Sequence, residues 1–144
     1  MTGNGRVRGL RSAVPYLRLF KGATFVLKLG GEILGNPHAL DGVADQVSLL
    51  HQVGIRVVMV HGGGPQASDL ASRLGIPVET VAGRRVTSDE TLEVAKMVFA
   101  GKLNTDLLAA LRRAPVPGVG LSGVDGDLIH ARRRPRVEVT DPAS

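Results

Sequence analysis

Val57-Val58-Met59-Val60-His61-Gly62-Gly63-Gly64-Pro65-Gln66 is the stretch that sets the fold. A run of apolar, mainly β-branched residues stops at three glycines, and a proline then opens a helix-compatible segment. The run shows no alternation, so it reads as a strand buried on both faces. Proline suits the first turn of a helix, where its missing N–H costs nothing. The glycines therefore stand between a strand end and a helix start. There, backbone N–H groups and the positive end of the helix dipole gather around an anion.

A second stretch of the same kind lies upstream. Thr24-Phe25-Val26-Leu27-Lys28-Leu29 reads as a strand, and Gly30-Gly31 follows it. Lys28 interrupts an apolar run two residues before the glycines, a costly place for a charge unless it projects into a site. Two glycine turns at the ends of two parallel strands line one crevice, the usual ligand position of an open α/β sheet.

Composition agrees with that class. The chain has 144 residues, enough for one domain burying roughly 70% of its unfolded surface. Apolar residues make up 43% and aromatics only 3%, which fits a Val/Leu/Ala core. There is no cysteine, so disulfides and thiolate metal sites are excluded and a reducing, cytoplasmic setting fits. No apolar run reaches the length of a membrane span. The net charge is +5, with the excess near the N-terminus and at Arg132-Arg133-Arg134. No aromatic platform or nucleic-acid motif accompanies these arginines, so the charge suits an anionic small molecule better than nucleic acid.

Residues 1–5 read as disordered and 6–20 as a short helix that Pro15 kinks or restarts. This arginine-rich segment, roughly 1–22, is expected to bind a partner or form an oligomer; a solvated leader and a transit peptide are the other readings. Strand one is 24–29. Asn36-Pro37 marks a helix start, Leu40, Val43, Ala44, Val47 and Leu50 form its apolar face, and Gly54 ends it. Strand two is 55–60, and a helix runs from Pro65 to about Leu74. An extended piece over 78–82 leads into Gly83-Arg84-Arg85-Val86-Thr87. Ser88 caps a long helix through Leu111 that Gly101 bends or splits, and Arg112-Arg113 suit its C-terminal dipole. Val116–Leu121 is expected to be a third strand, and residues 128–134 and 136–140 a hairpin. The order of elements predicts a mainly parallel sheet sandwiched by helices. The last unit has no closing helix, so the fold reads as incomplete at the C-terminus.

Several motifs fail on inspection. Gly118-Val119-Gly120-Leu121-Ser122-Gly123 matches the dinucleotide fingerprint literally but opens no helix. Walker A is absent. His61-Gly62-Gly63-Gly64 looks like an esterase oxyanion segment, yet the nucleophile elbow it needs is missing. His38, His51, His61 and His130 lack metal-ligand spacing, so no metal site is expected. Lys28 is a surface lysine, an ion-pair partner or a phosphate ligand, and the adjoining glycines favour the last. Phosphoryl transfer asks mainly for positioning and positive charge. Arg84 or Arg85 suits a bidentate carboxylate clamp; the alternative is two solvated loop arginines.

Together these residues resemble the amino-acid kinase family. The pieces are Val26–Gly31, Val60–Gln66, Ala82–Thr87, Gly101–Asn104 and Gly120–Gly126, in that order. The run Ala13–Phe20 is similar to the N-terminal helix of members that form hexamers and are inhibited by arginine. The resemblance implies an α/β fold of the carbamate-kinase-like kind, and ATP-dependent phosphorylation of the side-chain carboxylate of N-acetyl-L-glutamate in arginine biosynthesis, with Mg²⁺ travelling with the nucleotide. It implies that Lys28 stabilises the transferring phosphoryl group, that Gly30, Gly31 and Gly62 lie on the phosphates, and that Gly63, Gly64 and Arg85 hold the substrate. It further implies a homo-oligomer, dimer or hexamer. Members are substantially longer than 144 residues. Residues 23–144 therefore correspond to the N-terminal, acyl-amino-acid-binding half, and the other half holds the nucleotide pocket. Two other readings stand beside this one: an aminoadipate-type carboxylate kinase of the same family, against which Gly64-Pro65 argues, and a non-catalytic ligand-binding or regulatory module.

Overall fold

The computed structural model describes residues 3–81 and 84–132. The elements are α1 (Gly3–Phe20), β1 (Thr24–Leu29), α2 (Gly31–Leu34), α3 (Pro37–Gln52), β2 (Arg56–His61), α4 (Gly64–Arg73), β3 (Glu79–Val81), β4 (Arg84–Val86), α5 (Asp89–Lys96) and α6 (Asn104–Arg113). A π-helical segment, Met97–Leu103, joins α5 to α6, and a 3₁₀ turn spans Asp125–Asp127. None of the described helices is long and apolar enough to cross a membrane.

The end signals act as their chemistry requires. The Asn36 side chain accepts from the N–H groups of His38 (3.1 Å) and Ala39 (3.3 Å), two of the donors a helix start leaves unpaired. Ser88 accepts from Thr91 N at 3.2 Å. Gly54 (φ +85°) and Gly75 (φ +70°) follow the last residues of α3 and α4 in the left-handed region, where glycine ends a helix without strain.

β1 and β2 pair in parallel, Thr24 with Arg56 through Leu29 with His61, with α3 as the crossover between them. Leu29, Leu34, Leu40, Ala44 and Val47 form a core with Ala67 and Ala71 of α4, Val94 and Val98 of the fifth helix and its π extension, and Leu103, Leu107 and Leu111 beyond. Leu27, Val57 and Met59 pack against it.

Five sequence expectations change. β2 is not buried on both faces: burial alternates along β1 and β2, and Val26, Val58 and Val60 stay exposed. Val116–Leu121 joins no ladder. Val116 N donates to Leu111 O at 2.9 Å and Pro117 has no N–H, so the segment lacks the donors a strand needs at its start. It lies on α6 instead, Gly118 against Leu108 and Leu111 and Gly120 against Asn104. The first helix starts at Gly3, within the stretch expected to be disordered, and runs through Pro15 without restarting. Arg113 bonds Asp41 of α3 at 2.5 Å rather than serving only the dipole of its own helix. Of the hairpin expected over 128–140, residues 128–132 carry no strand and the rest lies outside the described residues.

Gly101 does fall in the middle of the split it was expected to cause. The division is a π-helical stretch, not a break, so the helical path continues without caps. A wider turn of this kind inserts one residue without re-aiming the flanking faces.

Candidate functional site

Parallel pairing puts both strand ends, and so both glycine turns, at one end of the sheet. Gly62 N donates to Leu29 O at 3.3 Å, which seats the second turn beside the first. Gln66 then ties them together. From the first turn of α4 its Nε2 donates to Gly31 O at 2.6 Å, and its amide lies in a cradle formed by Gly31 and Gly35. A methyl group at Gly31 would stand 3.0 Å from Gln66 Oε1, and one at Gly35 2.9 Å from Nε2. The Oε1 atom is buried with no hydrogen-bond partner among the described residues. Nothing in the sequence reading marked Gln66 as a tie; its polar side chain two residues after a glycine run was the available signal.

The five glycines divide into two kinds. Gly31 and Gly63 are packing positions: Gly31 meets Gln66 and Pro65, and Gly63 is buried against Phe99 and Leu103 of the π-helical segment. At Gly30, Gly62 and Gly64 an added methyl group would meet nothing within 4 Å. These three leave open space beside exposed backbone, as an approaching anion requires. The N-terminus of α4 has no side-chain cap, so its leading N–H groups keep their partial positive charge.

Lys28 is exposed on the open face of the sheet, opposite Val60 in the ladder. His61 is on the other face, half-buried, its Nδ1 3.0 Å from Gly62 O. The two side chains therefore project to opposite sides and do not act as a pair.

Arg85 comes from the short β3–β4 hairpin, whose pairing sets Thr80 opposite Arg85. Its guanidinium is half-buried and reaches the first turn of α4, donating to Gly64 O at 3.0 Å and to Ser68 Oγ. Both bonds use Nη2, and both acceptors are neutral. The remaining donors of the fork can meet a carboxylate, which forms stronger, charge-assisted bonds. Thus Gly31, Gln66, Gly64 and Arg85, from three separate sequence pieces, are tied into one group by two hydrogen bonds and the first turn of α4. Among the described residues no three His, Asp or Glu side chains gather in a way that holds a metal ion.

Residues 23–143 match the sequence profile of the amino acid kinase family. The acetylglutamate kinase of Myxococcus xanthus strain DK1622 is 55% identical over 132 residues, covering 92% of this chain and 43% of that protein. The acetylglutamate kinase of Methanoregula boonei is 45% identical over 124 residues, covering 86% and 43%. Among solved structures, the chain resembles N-acetylglutamate synthase from Neisseria gonorrhoeae complexed with coenzyme A and N-acetyl-glutamate. The TM-score is 0.65 at 34% identity, over 78% of this chain and 26% of that one. The same synthase complexed with coenzyme A and L-arginine gives a TM-score of 0.58 at 28% identity, over 93% and 28%. The chain spans less than half the length of the curated relatives it matches.

Proposed function

Because the chain belongs to the amino acid kinase family, we propose that residues 23–144 supply the substrate-holding half of an acetylglutamate kinase. That enzyme transfers the γ-phosphoryl group of ATP to the side-chain carboxylate of N-acetyl-L-glutamate. The observation that carries the reading is the linked group of Gly31, Gln66, Gly64 and Arg85, which gathers a cation and two open glycine turns at one strand end.

The roles follow from charge and space. Arg85 takes the α-carboxylate through the donors its bonds to Gly64 and Ser68 leave over. Gly63 packs, and so fixes where Gly64 presents its backbone to the substrate. Gly30 and Gly62 leave room for phosphate oxygens, and Gly31 holds its turn closed on Gln66. Lys28 brings positive charge to the phosphoryl group in flight, where fixed charge is worth most. The described residues fit the phosphate end of ATP. Mg²⁺ would travel with the nucleotide, carried on its phosphates.

Residues 1–22 serve as an oligomerisation element of a dimer or hexamer in the cytoplasm, with arginine as an inhibitor. Supporting the arginine reading, the synthase relative was solved with L-arginine. The Gly62-Gly63-Gly64-Pro65 sequence favours acetylglutamate over an aminoadipate-type substrate.

Calorimetric titration of the folded chain with N-acetyl-L-glutamate tests the assignment, with glutamate and aminoadipate as controls. Selective binding that disappears in Arg85→Ala is the expected result. Equal binding by the variant, or tighter binding of aminoadipate, would overturn the assigned substrate site.

A further inference from the structure

Arg85 stands on β4, an arm of three residues paired with another of three. A hairpin that small is marginal by itself, and arginine is among the side chains with the most rotamers to lose. The backbone of β4 therefore does not aim the guanidinium. What aims it is α4. Gly64 and Ser68 are four residues apart in that helix, so they share one face, a turn apart. The Gly64 carbonyl and the Ser68 hydroxyl both accept from Arg85 Nη2, in a half-buried contact.

The two acceptors are not equivalent. A backbone carbonyl is present at position 64 whatever the residue, and its other lone pair serves the helix ladder. The hydroxyl comes from the side chain at 68 alone. A serine inside a helix is neutral to unfavourable for the helix itself, so helix formation gives no reason for it. One bond leaves the guanidinium free to swing about the contact; a second from the same nitrogen fixes its plane. With both hydrogens of Nη2 committed to α4, Nε–H and the hydrogens of Nη1 are the donors left over. No carboxylate among the described residues forms an ion pair with Arg85. Both acceptors are neutral, so the hold leaves the positive charge of the fork unspent.

We propose that Ser68 is a positioning residue: by holding Nη2 of Arg85 against the first turn of α4, its hydroxyl turns the free donors of the fork to the carboxylate of the ligand. The proposal rests on the reading of Arg85 as the carboxylate clamp, and Ser68 acts through Arg85. A bond that only anchored the hairpin would, when lost, weaken every ligand alike.

Ser68→Ala removes the acceptor and puts the best helix former in its place, so the chain stays folded; Ser68→Thr keeps a hydroxyl. Two readouts on the 144-residue chain separate the proposal from the reading beneath it. The first needs no ligand. It is nitrogen–proton NMR of the arginine side chains, with Arg85 assigned by its disappearance in Arg85→Ala. Separate Nη1 and Nη2 signals are expected in the parent and in Ser68→Thr, merging into one averaged signal in Ser68→Ala. Unchanged signals in Ser68→Ala, or averaged signals in the parent, overturn the proposal. The second is calorimetric titration with N-acetyl-L-glutamate and with N-acetyl-γ-aminobutyrate, the same molecule without its α-carboxylate. Ser68→Ala should bind the first about tenfold more weakly and the second as the parent does, with Ser68→Thr within about threefold of the parent for both. In an Arg85→Ala background Ser68→Ala should add nothing. A loss shared equally by the two ligands, or one that persists without Arg85, overturns the proposal. Binding of neither ligand by the parent counts against the substrate reading instead, and the NMR readout then decides on Ser68.

Discussion

Gly63→Ala separates the two kinds of glycine most sharply. The added methyl group would stand 2.9 Å from Cδ1 and Cε1 of Phe99 and closer still to Cδ1 of Leu103. Carbon atoms rest about 3.5–4.0 Å apart at their optimum, so both side chains must withdraw. Phe99 is 37% exposed and can swing outward, but Leu103 is 1% exposed and has nowhere to go. Overpacking of this kind costs about 1–3 kcal/mol, and the confinement of Leu103 argues for the upper part of that range. In a domain of this size such a loss lowers the melting temperature by about 3–10 °C. At Gly62 and Gly64 nothing lies within 4 Å, so Gly62→Ala and Gly64→Ala should stay within about 0.5 kcal/mol of the parent. Thermal unfolding followed by circular dichroism, repeated in urea, reads all three. A Gly63→Ala chain melting within a degree of the parent, or a Gly62→Ala chain falling as far, would refute the division into packing and ligand-facing glycines. Ligand titration should reverse the order, with Gly64→Ala losing N-acetyl-L-glutamate binding while remaining fully folded.

Asn36→Ala removes the acceptor for His38 N and Ala39 N and should cost about 0.5–2 kcal/mol in urea unfolding, with Asn36→Asp recovering most of it. Gln66→Leu should change stability by less than about 1.5 kcal/mol. Gly31 O keeps its bond from Gly35 N at 2.9 Å, and the variant no longer buries the unpaired Oε1. The same variant should speed amide exchange at Gly31 and Gly35, and unchanged exchange would show that Gln66 is no tie. The backbone N–H of Ser122, followed by its hydroxyl, holds the Asp125 carboxyl below the usual carboxylate range. That contribution is complete above the ordinary carboxylate pKa and is lost as pH falls through the lowered one. Carbon NMR should find the Asp125 midpoint low, and Ser122→Ala should raise it only part of the way, because the larger cause, the backbone bond, remains.

Local chemistry with a single partner was legible in the sequence. Strand one was read as 24–29 and found there, and strand two was displaced by one residue. Asn36, Ser88, Gly54 and Gly75 end their helices for reasons that lie within a few residues of each. Long-range partners were not legible. Pro117 and the early Val116–Leu111 bond keep 116–121 out of the sheet, a competition that apolar content alone does not show. The resemblance implies a substrate contact at Gly63, and the packing of Phe99 and Leu103, distant in sequence, beside it was a second demand on that glycine that the sequence did not show. The β3–β4 pairing that carries Arg85 to α4 went unforeseen because each arm has only three residues. The open valine face misled in the other direction: its residues carry the signature of a covered strand, and the cover is not among the described residues.

The ladder that sets Lys28 beside Val60 also sets Leu27 and Leu29 toward the core. Sliding β1 by one position would turn every side chain over, sending the ammonium inward and the two leucines into water. An unpaired buried ammonium is costly enough to forbid that arrangement. Correct aim of the lysine and integrity of the core are therefore one property, and a folded sample vouches for both. A variant that keeps its melting temperature but loses its ligand has lost charge or room at the site, and misdirection of Lys28 drops out as an explanation.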